Sequence, residues 1–161
     1  MPTKKKNVEL PNTLSGLLRL AVTDARRVAK DPRYTLNMST WHTPRRAGKG
    51  KRVCQVCMAG AVMTQLPGVR VDREIEPYNL PEDLQRKMTA IDMMRSGFFG
   101  AAFDALHPER LRTPDERAAM ELAHTAVCST YRLNTEAADR YARASWASYL
   151  RAAKILEAAG L

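Results

Sequence analysis

Between positions 14 and 29 the chain places Leu14, Leu17, Leu18, Ala21, Val22, Ala25, Val28 and Ala29 at spacings of three and four. That period puts all eight on one stripe of a helix, with Arg19, Arg26, Arg27 and Lys30 on its flanks or outer face. A one-sided stripe of this length is stable only against other apolar surface, so the rest of the chain must supply it. The same period returns in Leu84, Met88, Ile91 and Met94, and again in Tyr141, Ser145, Tyr149, Ala152 and Leu156. The pattern predicts an all-α protein, a compact bundle of about six helices, with a small β-hairpin or extended element near residues 33–43.

Punctuation sets the expected boundaries. Asn12 or Thr13 caps the first helix, and Asp31-Pro32 ends it. Residues 33–43 alternate loosely, with Tyr34, Leu36, Met38 and Trp41 as a possible shared face. Pro44 to Lys51, with Gly48 and Gly50, reads as irregular loop. A helix is expected from about Val53 to Leu66, another from Pro81 to Gly97 with Asn79 as its cap, and a short one over 98–106. Thr113-Pro114-Asp115-Glu116 carries a capping box with proline at the first helical position, starting a helix to about Tyr131. The last helix is expected from Asn134 or Thr135 to Ala159-Gly160. At 161 residues the chain reads as a basic disordered arm over 1–11 and a single helical domain over 12–161.

Charge is distributed unevenly. Residues 1–52 carry a net +10 and residues 53–161 a net −1, so all the excess positive charge of this +9 chain lies in its first third. A field of that sign attracts polyanions. Its densest part is the stretch 45–52, where Arg45, Arg46, Lys49, Lys51 and Arg52 occur with no acidic residue. Side-chain cations, the glycine N–H groups and the following helix would converge on a phosphate there. Trp41, Tyr34 and His42 stand beside it as rings on which a base could stack; the alternative is that Trp41 anchors the loop to the core. The ligand expected is nucleic acid or a nucleotide. A second reading is a host protein as partner, docked by the same basic face. A homo-oligomer through the alanine-rich last helix is compatible with either.

The cysteines offer a different chemistry. Cys54 and Cys57 have C-x-x-C spacing, and His124 and Cys128 lie four apart on one helical face. Together they are a candidate tetrahedral zinc set, with His42 as a substitute ligand, and zinc is the one cofactor the sequence suggests. A C-x-x-C at a helix N-terminus would also have lowered thiol pKa values and support redox chemistry, although no βαβ context surrounds it. Two small buried core residues are the competing reading. Catalysis finds no support: Walker A, H-E-x-x-H, G-x-S-x-G, G-x-G-x-x-G and zinc-deaminase patterns are all missing. No apolar run is long enough to span a membrane, and the N-terminus has no secretory h-region. Three cysteines, an odd number, fit a reducing compartment.

Three pieces resemble small non-structural proteins of tailed bacteriophages: Trp41, the C-x-x-C-x-A-G-A-V-M run from Cys54 to Met63, and K-M-x-A-I-D-x-M-R-x-G from Lys87 to Gly97. The resemblance implies a phage origin and a place in the bacterial host cytoplasm; host takeover or counter-defence is the setting expected for binding of the anionic ligand. It implies no activity.

Overall fold

A computed structural model describes residues 9–47, 51–130 and 144–161, with the side chains of Ala47, Lys51 and Arg52 outside that description. Among the described residues, six helices surround one core: α1 (Leu14–Val28), α2 (Met58–Met63), α3 (Glu82–Arg95), α4 (Phe99–Leu106), α5 (Pro114–Cys128) and α6 (Trp146–Ala158). A small sheet of β1 (Tyr34–Leu36), β2 (His42–Ala47) and β3 (Lys51–Val56) lies between α1 and α2 in the chain. The mostly helical bundle is the one expected from periodicity. Among the described residues, no helix is long and apolar enough to cross a membrane.

α1 is the organising element. Thr13 caps it, its side chain accepting from the Gly16 N–H at 3.1 Å. The whole stripe from Leu14 to Val28 is buried. α6 returns along it in the opposite direction. The Leu161 carbonyl accepts from the Ser15 N–H at 3.2 Å and from the Ser15 hydroxyl at 2.5 Å, so the C-terminus closes onto the start of α1. α2 and α3 cover other parts of α1, and α5 packs on α6. Tyr149 of α6 is fully buried and satisfied: its hydroxyl donates to the Arg95 carbonyl at 2.7 Å and accepts from the Ala144 N–H at 3.2 Å.

Several boundaries differ from the sequence reading, each for a local reason. Leu10 is buried, and the Lys87 ammonium donates to its carbonyl at 3.3 Å. Of the arm expected over 1–11, then, residues 9–11 belong to the packed domain; residues 1–8 lie outside the described residues. Asn79 does not cap α3. It sits in a 3₁₀ turn, Pro77–Asn79, and α3 begins after Pro81 with no side-chain cap. The capping box at Thr113 and Glu116 is present with both reciprocal bonds. α6 starts at Trp146, where Ser145 caps the Ser148 N–H at 3.2 Å; the helix expected from Asn134 falls on residues 131–143, outside those described.

The structure departs furthest from the sequence pattern over residues 44–56. Residues 44–47 and 51–53 are strand rather than irregular loop, and no helix begins at Val53. β2 and β3 form an antiparallel hairpin with His42 opposite Val56 and Ala47 opposite Lys51, and β1 pairs parallel with β3 from Tyr34–Cys54 to Leu36–Val56. Alternation explains the pairing: Leu36, His42, Cys54 and Val56 point into the core, while Thr43 and Gln55 point away. Helical spacing of Cys57 and Ala61 belongs only to the short α2 that follows.

One buried acid makes the fold pH-sensitive. Asp24 of α1 is buried beside Arg27, and burial outweighs that partner, raising its pKa to about 6. The folded value lies above the unfolded one, so the native state holds a proton that the unfolded chain has released. Stability from this group is therefore present at the acid end and is lost as pH rises through about 6. Asp24→Asn keeps an acceptor for Arg27 and removes the buried charge. Thermal melts should show it more stable than the wild type at pH 7, by about 1–2 kcal/mol, with the difference shrinking toward pH 4.

Candidate functional site

The hairpin is longer than the sheet that holds it. β1 covers β3 only from Cys54 to Val56, so Lys51 to Val53 pair with β2 alone. Residues 45–47 and 51–53 form a two-stranded ribbon reaching about 10 Å past the third strand, at the rise of extended chain. Residues 48–50, which join the two strands in the chain, lie outside the described residues, and Lys49 with them.

The register redistributes the cations. Arg45 stands opposite Val53, and Arg46 opposite Arg52. Arg45 shares its face with Thr43, the side turned from the core. Arg46 has the parity of His42 and Pro44, the core side, but lies beyond the point where the core ends and is exposed. The two arginines therefore sit on opposite faces of the ribbon. Neither has an ion-pair partner among the described residues. Elsewhere arginines are commonly paired: Arg19 with Glu157, Arg33 with Asp31, Arg70 with Asp72 and Arg110 with Glu116. Pro44, which lacks an N–H, is tolerated because β2 is an edge strand.

The base of the ribbon is tied to the domain. The Ile75 N–H donates to the His42 carbonyl at 3.0 Å, and His42 Nδ1 donates to the Arg73 carbonyl at 2.9 Å. That bond leaves Nε2 as the ring's acceptor, 3.6 Å from Cys54 Sγ. The imidazole is fully buried, and burial lowers its pKa, which keeps it neutral. His42 thus cannot stack on a base; it is a core histidine with both nitrogens used. Tyr34 is half-buried, edge-on to His42 at 6.3 Å between ring centroids. Trp41 is half-buried and packed against the core. Its backbone carbonyl lies where a Cβ on Gly60 would stand, 1.5 Å away. The A-G-A run of α2 is small because α2 crosses the backbone at the start of β2.

The four-ligand zinc arrangement does not form. Cys54 is on β3, and Cys57 is the N-cap of α2, its sulfur accepting from the Gly60 N–H at 3.4 Å. His124 and Cys128 form a separate pair on α5, 3.4 Å apart, with His124 Nδ1 bonded to the Gly97 carbonyl at 2.8 Å. Among the described residues no three His, Cys, Asp or Glu side chains are placed to share a metal ion. The redox reading is also corrected. Burial pushes the Cys54 thiol up to about 12 and Cys57 to about 11, the reverse of an activated thiolate. In the native protein, Ellman's reagent at pH 7.5 should modify exposed Cys128 rapidly and Cys54 and Cys57 only on unfolding; rapid reaction of two or three thiols would contradict this burial.

Comparison of the chain with family models, with curated proteins and with solved structures returns no match.

Proposed function

We propose that this protein binds nucleic acid through the basic ribbon formed by β2 and β3, without catalysing a reaction. The observation that carries this reading is the free end of the hairpin. It projects beyond the sheet and bears exposed Arg45 and Arg46 on opposite faces, in a stretch of five cations and no acid. A two-stranded ribbon fits the major groove of a duplex, and cations on both of its faces meet the phosphates of both strands lining that groove. The rigid base, held by His42, Arg73 and Ile75, turns the ribbon into a fixed arm rather than a charged tail. A nucleotide as sole ligand fits less well, because Arg45 and Arg46 do not converge on one phosphate.

Aromatic support from Trp41 and Tyr34 is confined to the base of the arm, where both rings are half-buried. The likeness of Trp41, Cys54–Met63 and Lys87–Gly97 to small tailed-phage proteins supplies the setting we attach to this reading, a protein acting on nucleic acid in an infected bacterium. Those pieces are core elements, so the likeness concerns the scaffold that carries the arm. A fluorescence-anisotropy titration of a labelled duplex of about 20 base pairs tests the proposal. Saturable binding at low salt is expected, and absence of binding there would end it.

A further inference from the structure

α4 and α5 enclose an open cavity of 570 Å³, within the range occupied by small-molecule ligands. It is unconnected with the ribbon in sequence. Its floor is the turn from Gly97 to Gly100, and two glycines there admit polar side chains that any other residue would displace. A Cβ on Gly100 would stand 2.4 Å from a terminal nitrogen of Arg112, and one on Gly97 would stand 3.3 Å from His124 Nδ1 and 2.8 Å from Cys128 Sγ. Gly97 also has a φ of +83°, which disfavours a side chain in any case.

The polar groups brought together are complementary in chemistry. The Gly97 carbonyl can only accept, so His124 Nδ1 carries the proton of their 2.8 Å bond, and in the neutral ring Nε2 is the acceptor. Arg112 pairs with Asp104 at 3.2 Å, and Glu121 also lines the cavity, so the two arginines are matched in number by two acids, and Arg117 is the cation that no ion pair among the described residues holds. Phe98, 57 % exposed, leaves an aromatic ring in water on the lining of the cavity, which also includes Met120.

We propose that this cavity binds a small organic anion, a carboxylate or phosphate head on a flat apolar body. Arg112 and Arg117 hold the head through paired N–H donors. Phe98 stacks on the body, and His124 Nε2 and Glu121 accept from its hydroxyl or amine groups.

Amide NMR of the full chain tests this with two probes, adenosine monophosphate and 2-naphthoate, and inorganic phosphate as a head alone. One of the two aromatic anions should give saturable shifts at the amides of Gly97, Gly100 and Thr125, with half-effect below about 1 mM; phosphate alone should bind more weakly. Tighter binding of the nucleotide assigns a phosphate head, and tighter binding of naphthoate a carboxylate. Arg117→Ala, at an exposed side chain that leaves the fold intact, should weaken the effect about tenfold. Gly100→Ala, which pushes the Arg112 guanidinium aside, should weaken it too. No saturable shift at these amides with either probe, shifts confined to the ribbon amides, or a midpoint unchanged in both variants would overturn the site.

Discussion

Gly60→Ala should remove most of the stability of this domain. The added Cβ would stand 1.5 Å from the Trp41 carbonyl oxygen and 3.0 Å from the Val56 Cβ. The first neighbour is backbone and the second a fully buried side chain, so neither can swing away. α2 would have to lift off β2 and β3, yet Met58, Ala59, Ala61, Val62 and Met63 are all buried on its several sides. Overpacking that moves a backbone costs several kcal/mol, and a domain of this size has only about 5–15 kcal/mol in total. Urea denaturation should therefore show a loss of about 4 kcal/mol or more, or no cooperative transition at all. A midpoint close to that of the wild type would mean that α2 does not cross the chain at Trp41.

Charge reversal on the ribbon should leave the fold alone and abolish binding. Arg45 and Arg46 are exposed and without ion-pair partners among the described residues, so Arg45→Glu with Arg46→Glu should change stability by no more than about 0.5 kcal/mol. Each arginine lost removes a charge-assisted contact to phosphate, and each glutamate adds repulsion. Duplex affinity near 0.1 M salt should fall at least about a hundredfold. Because the two side chains sit on opposite faces, each single reversal should be harmful by itself. One silent arginine would show that only one face of the ribbon meets the ligand.

The helices were legible because their signals are local. The α1 stripe, the Thr113–Glu116 capping box and the break at Asp31-Pro32 depend on residues within one or two turns. The hairpin was not legible, and the reason is physical. Its strands are defined by partners far along the chain: Tyr34 pairs with Cys54, and Ile75 bridges to His42. No local pattern announces such pairing. Pro44, Gly48 and Gly50 read as breakers, whereas an edge strand tolerates the proline. A helix beginning at Val53 would carry both Cys54 and Cys57, whereas Cys54 lies on β3 and Cys57 caps α2. The location of the positive charge was legible and its geometry was not. A run of five cations reads as one converging cluster until the strand register sends neighbours Arg45 and Arg46 to opposite faces. The cavity between α4 and α5 had no signal beyond Gly97 and Gly100, whose role depends on Arg112 and His124 from another helix and its approach.

A basic ribbon that meets the phosphate backbone makes duplex binding depend steeply on salt. The logarithm of the association constant should fall linearly with the logarithm of salt concentration, with a slope of about −3 to −4.5 for the cations of 45–52, and Arg45→Ala with Arg46→Ala should reduce the slope by about 2. A slope near zero, or one that the double variant leaves unchanged, would contradict the account.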